Sequence, residues 1–359
     1  MREKINLRIA VCVLMAAALL ATAASAADGT FCTVMLDGIR VENAAVVTKN
    51  DAWLSVSAFC RITGTQMLCD PDDGSWKLEK DGRELTLTDG DAVAGSGRRS
   101  GFRDGRLRYV PLQQAAEAFG YRLCTDGGTI YMTAAQTDLP RGVRLPILMY
   151  HAVSDEPWTR NTGLFVRPSE FEEQLRWLLE HGYEPITFED LNDLSEYKKP
   201  VLLTFDDGYE DNFTTVLPLL REYGAKATFF VVPQQFYSEH CMNEDMLREA
   251  AASGLVSIQS HTLSHPDLRE LSAKDVEREY AEANLRIARI TGKLPVALAY
   301  PSGWNNRQAR EIAASYYDYA VVMGGDAPVT GRTDPMRWAR IYVYRGMRLS
   351  EFADAVRSQ

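Results

Sequence analysis

Asp206 and Asp207 stand side by side ahead of Gly208, and His261 and His265 stand four residues apart. One carboxylate and two imidazoles are the donor types of a catalytic site for a divalent cation, which keeps positions open for water. An i,i+4 pair fits one helical turn or a tight loop, so both rings can face one ion. Pro266 follows His265 directly and disfavours helix there, so a turn is expected. Adjacent carboxylates on extended backbone point opposite ways. One of the two can therefore ligate while the other accepts a proton from metal-activated water. Each motif alone has a bland reading, as a polar turn or a surface histidine pair. Together, at two strand ends, they favour a metal site. His151 is a third histidine in the same setting.

The setting is an alternation of strands and helices that begins near Leu145 and signals an α/β architecture with parallel strands. Strands are expected at Pro146 to Tyr150, Val201 to Phe205, Ala227 to Val232, Val256 to Gln259, Val296 to Tyr300 and Ala320 to Met323. A helix capped by Ser169 and Glu172 carries Phe171, Leu175 and Leu178 to a stop at Gly182. Others run to Gly224 and from Glu244 to Gly254, and Ser272 caps a long one with Val276, Tyr280, Ala283, Ile287 and Ile290 on one face. About seven such units suggest a barrel, whose reactive groups sit where strands end. His151, Asp206, Asp207 and His261 all fall at that end. His181 and His240 read as surface residues.

The first third has another grammar. Trp53 to Val56, Gly64 and Asp70 reappear 56 residues later as Tyr109 to Leu112, Gly120 and Asp126. Each copy reads as strand, short helix, Gly stop and returning strand. Two further strands flank an Asp81-Gly82 turn. Gly95 to Gly105 reads as a polar loop, and Asp70 to Gly74 as a turn rather than a calcium loop. Arg98, Arg99, Arg103, Arg106 and Arg108 read as a solvated basic stretch, with contact to an anionic wall polymer as the sharper alternative.

The 359 residues allow two domains, and 46% hydrophobic with 25% charged residues is ordinary globular usage. A net charge of -10 argues against a nucleic-acid partner. Arg2, Lys4 and Arg8, the apolar run Ile9 to Leu20 and Ala24-Ser25-Ala26 form an export signal, with cleavage expected after Ala26 and an uncleaved anchor as the alternative. The expected locations are the medium or the cell surface. Cys32, Cys60, Cys69, Cys124 and Cys241 remain; an exported protein permits disulfides, and Cys241 reads as an unpaired thiol.

Thr204-Phe205-Asp206-Asp207-Gly208 and His261-Thr-Leu-Ser-His265 resemble the first two motifs of the polysaccharide deacetylase family, also called NodB homology or carbohydrate esterase family 4. Leu148 to His151, Ala299-Tyr300-Pro301-Ser302-Gly303 and Arg340 to Val343 extend the likeness. The resemblance implies a distorted (β/α)7 barrel over 138–359 and metal-dependent removal of acetyl groups from sugars. It implies Asp207, His261 and His265 as ligands of a cation, zinc by family habit, and Asp206 as the base, with the metal and nearby N–H groups stabilising the oxyanion. Residues 28–137 resemble the module named after the copper amine oxidase N-terminal domain, a small α+β unit read here as a spacer or surface-binding element. All five histidines lie beyond residue 150, so it has no imidazole for copper.

Two departures shape the expectations. Ala299 stands where the third motif often has an Arg, and Arg340 is expected to supply the guanidinium that orients Asp206. No histidine follows His265, so the acid of the family's fifth motif is missing. His151 can take that role, or Asp206 can return the proton itself. The reading is an exported deacetylase of an N-acetylglucosamine-containing glycan, either poly-N-acetylglucosamine or peptidoglycan, with the first of these closer in motif pattern. The alternatives are an O-acetyl esterase on xylan-like polymers and an inactive glycan-binding protein. Trp304, Asn305, Asn306 and Trp338 are candidate sugar contacts, with core packing an equal reading for Trp338.

Overall fold

A strand that is buried on both faces reads as an unbroken apolar run, and Pro200–Phe205 and Ala227–Val231 are fully buried along their whole length. In the computed structural model these runs form the centre of a parallel sheet. The structure describes residues 30–47, 52–69, 75–89, 100–104, 107–136, 139–140, 142–325 and 328–358. The export signal, the Asp70–Gly74 turn and Arg98, Arg99 and Arg106 lie outside those residues. The described residues fall into two units, one within 30–135 with Gly292–Leu294, and one within 136–291 and 295–358.

The first unit holds strands β1 (Thr30–Leu36), β2 (Ile39–Val47), β3 (Ala52–Ser55), β4 (Gln66–Cys69), β5 (Ser75–Lys80), β6 (Arg83–Asp89), β7 (Ser100–Asp104), β8 (Leu107–Pro111), β9 (Tyr121–Asp126) and β10 (Thr129–Ala134). Helix α1 (Val56–Thr63) follows β3 and helix α2 (Leu112–Phe119) follows β8. The strand order is β4-β5-β6-β7-β8-β3-β2-β1-β10-β9. The repeat explains its centre. β3 pairs antiparallel with β8, as Trp53 with Pro111, Leu54 with Val110 and Ser55 with Tyr109. Positions 56 apart exchange partners in that register, so the two copies are related by a local two-fold through Leu54 and Val110. Both helices end on a left-handed glycine, Gly64 and Gly120, each at φ 73°. Asp81 and Gly82 turn β5 into β6 as expected, at φ 50° and 73°. The expected polar loop at Gly95 to Gly105 is corrected over its described part: Ser100–Asp104 is a strand, paired antiparallel with β8. Arg108 lies over the Trp76 ring at 5.9 Å instead of pointing into solvent.

In the second unit β11 (Ile147–Tyr150) is followed by the short pair β12 (Ala152–Val153) and β13 (Phe165–Val166), then α3 (Pro168–Glu180) and β14 (Glu184–Ile186). Next come β15 (Pro200–Phe205), α4 (Leu217–Tyr223), β16 (Ala227–Val231), α5 (Glu244–Ala252) and β17 (Val256–Ser260). The chain continues through α6 (Ala273–Thr291), β18 (Ala297–Ala299), α7 (Arg307–Tyr316), β19 (Tyr319–Val321), β20 (Ile341–Tyr342) and α8 (Leu349–Ser358). The parallel sheet runs β19-β18-β17-β16-β15-β11-β20, with β14 also on β15. A bridge from Val321 to Trp338, just before β20, joins its two ends. The result is a distorted (β/α)7 barrel. Tyr150 stacks on Phe205 at 5.1 Å, with Phe171 edge-on to both, in the core beneath the helices.

Two local expectations are corrected. Helix α3 starts one residue earlier than its expected cap, with Pro168 in its first turn and the Arg167 N–H donating to Glu170 Oε2 at 3.0 Å, so Ser169 and Glu172 are not the cap. The helix before Gly224 opens with a π turn at Asn212–Val216. Pro218 has no N–H to continue an α ladder there, and the wider turn absorbs the break. Among the described residues no helix is long and apolar enough to cross a membrane.

Candidate active site

Strand β15 delivers the two carboxylates. The Asp206 N–H still bonds Tyr150 O at 3.0 Å, so Asp206 ends the ladder. Asp207 and Gly208 then turn left-handed, at φ 72° and 73°. That reversal sends the two carboxylates to different partners. A Cβ on Gly208 would meet Val231 Cγ1 at 3.2 Å, so β16 also wants glycine there. Strand β17 delivers His261, whose N–H bonds Val231 O at 2.9 Å. The loop after it carries His265 at φ 61°, a turn and not a helix.

The three expected ligands converge. Asp207 Oδ1 lies 3.5 Å from His261 Nε2 and 3.7 Å from His265 Nε2. Their donor atoms all lie within 4.8 Å of one another. Donors held tetrahedrally on one zinc ion are separated by about 3.4 Å. The tautomer agrees as well. His261 Nδ1 donates to Ala299 O at 2.7 Å, which leaves the Nε2 lone pair for a cation. The donor set therefore fits a divalent metal of the zinc type. Burial alone would raise the Asp207 carboxyl, but the His261, His151 and His265 imidazoles hold it well below the usual range.

Asp206 faces Arg340 in a two-pronged pair. Nη1 and Nη2 donate to Oδ1 and Oδ2, each at 2.7 Å. Both side chains are buried, 1% and 4% exposed, so water does not screen them. Arg340 spends its other donors on Thr204 Oγ1 and Val322 O. Burial opposes charge on Asp206, yet Arg340 and then His261 keep its carboxyl below the usual range. His151 sits at the same strand end, with Nδ1 buried and without a hydrogen-bond partner. Burial pushes its imidazole down more than Asp206 and Asp207 push it up.

Residues outside the expected set support this one. Tyr209 adjoins Asp207, and burial first, then that carboxylate, push its hydroxyl up. Asn212 Nδ2 donates to His151 O at 2.9 Å and to Asp211 Oδ1 at 2.8 Å. Glu279, from α6, accepts three bonds from the loop between the histidines. Their signal was not in motif spacing, because each acts through main chain or through another side chain.

Other expectations need correction. Trp338 is 2% exposed and packs on Phe188 and Tyr319 in the core, so it is no sugar contact. Asn306 caps α7 through Ala309 N and Asn305 accepts from Arg310, and both stay partly exposed beside Trp304. Trp304 remains exposed, with the Arg269 guanidinium 4.4 Å above its ring. His181 is exposed, whereas His240 is half-buried and stacked on Trp158. Cys241 is an unpaired thiol, pushed up to about 11 by burial and then by Asp207, which makes it a poor nucleophile.

Residues 194–321 match the polysaccharide deacetylase family, a span that includes Asp207, His261 and His265. Over that span the chain is similar to polysaccharide deacetylases. YxkH of Bacillus subtilis, whose name assigns it to the same group, is 33% identical over 186 residues, 50% of this chain and 64% of YxkH. The poly-beta-1,6-N-acetyl-D-glucosamine N-deacetylase of Escherichia coli K12 is 30% identical over 135 residues, 32% of this chain and 20% of that protein. The chain thus spans less than two thirds of each of these relatives. Among solved structures, the Streptococcus pyogenes deacetylase PplD in complex with acetate superposes with a TM-score of 0.55 at 27% identity, over 60% of this chain and 98% of that one.

Proposed function

We propose that this protein is an exported, metal-dependent N-deacetylase of N-acetylglucosamine-containing glycan, poly-N-acetylglucosamine or peptidoglycan. The observation that carries the reading is the convergence of Asp207, His261 and His265 beside an Asp206 clamped by Arg340. The name of the Escherichia coli relative supports the first polymer. Zinc is the favoured ion because two imidazoles and one carboxylate are its usual catalytic ligands. When bound, the cation supplies Lewis acidity toward the acetyl carbonyl and acidifies the attacking water.

The chain's own residues do the rest. Asp206 takes a proton from that water as the oxygen adds to the acetyl carbon. Because Arg340 keeps Asp206 ionised, the base is present at any pH above the ordinary carboxylate range. The carbon–nitrogen bond then breaks, the proton passes to the leaving nitrogen, and acetate and a free amine depart. Asp206 is favoured over His151 to return that proton, since burial pushes the His151 imidazole down and makes it a weaker proton carrier. The export signal supports action outside the cytoplasm, and the first unit is read as a spacer or wall-contact module.

The missing late histidine favours a second reading, an O-acetyl esterase, because an alkoxide leaves without a strong acid. Zinc-loaded protein should release acetate from N-acetylglucosamine oligomers and from acetylated xylan in parallel assays. Release from the oligomers at the higher kcat/KM supports the amide reading. Release from xylan alone overturns it.

A further inference from the structure

The loop from His261 to His265 is strained. Thr262 and His265 both adopt left-handed backbone, at φ 64° and 61°, which costs non-glycine residues about 1–3 kcal/mol each. Between them lie two consecutive main-chain N–H groups, of Leu263 and Ser264. Leu263 is only 3% exposed, so water cannot serve its N–H. A run of N–H groups in such a turn forms a concave anion site. One carboxylate fills it. Glu279 Oε2 accepts from Leu263 N at 3.0 Å and from Ser264 N at 2.9 Å, while Oε1 accepts from Ser264 Oγ at 2.8 Å. Glu279 is itself 4% exposed and stands on α6, one turn past Val276 on the buried face. Inside the loop, His265 N donates to Thr262 Oγ1 at 3.1 Å.

We propose that Glu279 is a positioning residue for the metal centre: it holds the strained loop in the one shape that turns both imidazoles toward Asp207. This rests on the metal reading given above. Without the carboxylate, two amides lose their acceptor and the left-handed residues are free to relax. His265, at the far end of the loop, then swings away from Asp207, and the ligand set opens.

The test is zinc affinity, measured by competition with a chromophoric chelator on the full chain, beside the melting temperature of the metal-free protein. Glu279→Ala should weaken zinc binding at least tenfold, with Glu279→Gln in between because its amide oxygen still accepts. Ser264→Ala, which removes one bond of three, should weaken it two- to threefold. Tyr280→Phe is the control, since it removes a bond from the same helix to Ala309 O and none to the loop. It should lower the melting temperature and leave zinc affinity unchanged. Glu279→Ala that melts early yet binds zinc like wild type overturns the proposal. Should that variant not fold, wild-type affinity in both Glu279→Gln and Ser264→Ala overturns it. A wild-type protein that binds no zinc overturns the metal reading instead.

Discussion

Arg340 and Asp206 are the most consequential pair of side chains in the molecule. They are buried together, so removing one leaves a bare charge in a dry site. Arg340→Met should cost about 3–5 kcal/mol at neutral pH, measured by denaturant unfolding. The sign of its pH dependence follows from the depressed carboxyl of Asp206. Stability from a lowered carboxylate is fully present above its unfolded value near ~4 and is lost as pH falls through the folded value. The gap between variant and wild type should therefore narrow below about pH 4. Asp211 is the opposite case, pushed up to about 7 by burial although the Val153 N–H and Asn212 pull it down. A raised carboxyl contributes fully below its unfolded value and loses that contribution as pH rises toward 7. Asp211→Asn should leave the melting temperature unchanged at pH 4 and raise it at pH 8; an equal shift at both would contradict this. Asp206, Asp207, His261 and His265 were legible because the chemistry lies in short spacings. Arg340 lies 134 residues from Asp206 and was legible only through family resemblance. Glu279 and Tyr209 left no pattern, since a carboxylate bound to main-chain amides looks like any helix residue.

At the level of elements, the site is a property of strand ends. β15 stops at Phe205 and β17 at Ser260, and the residues just beyond turn left-handed where the ligands must point. Gly208→Ala tests that dependence. Its backbone conformation costs an L side chain about 1–2 kcal/mol, and the added Cβ presses on Val231. Unfolding stability should drop by that order and zinc affinity with it; an unchanged zinc affinity would show that the Asp207 turn does not need glycine beside it. Six strands of the barrel were readable as apolar runs, within one or two residues, whereas the short β14 and β20 were not. The caps and the weak strands were not. Ser169 and Glu172 had capping-box spacing, but the cap at Arg167 and Glu170 lies two residues earlier. Ser100–Asp104 has no apolar alternation and is a strand only because β8 lies beside it.

For the whole molecule, the 56-residue repeat was visible in composition and emerges as a local two-fold in one sheet. The barrel's closure was not visible. It depends on the bridge from Val321 to Trp338, two residues whose separation carries no periodic signal. That same closure places Trp338 in the core. The proposed export belongs to this scale too. Protein recovered from the medium should begin at Ala27, as read by N-terminal mass analysis, and a chain that retains Met1 would contradict cleavage. Hydrolysis is proposed to run at a metal site made of Asp207, His261 and His265 with Asp206 as base. Its most direct test is acetate release from N-acetylglucosamine oligomers by the wild type and by Asp206→Asn, each with zinc and with chelator. The wild type with zinc should release acetate, chelator should abolish the release, and the variant should fall by about 10²–10⁴-fold while still binding one zinc per chain. Release that survives chelation, or an Asp206→Asn protein as active as the wild type, would contradict the account.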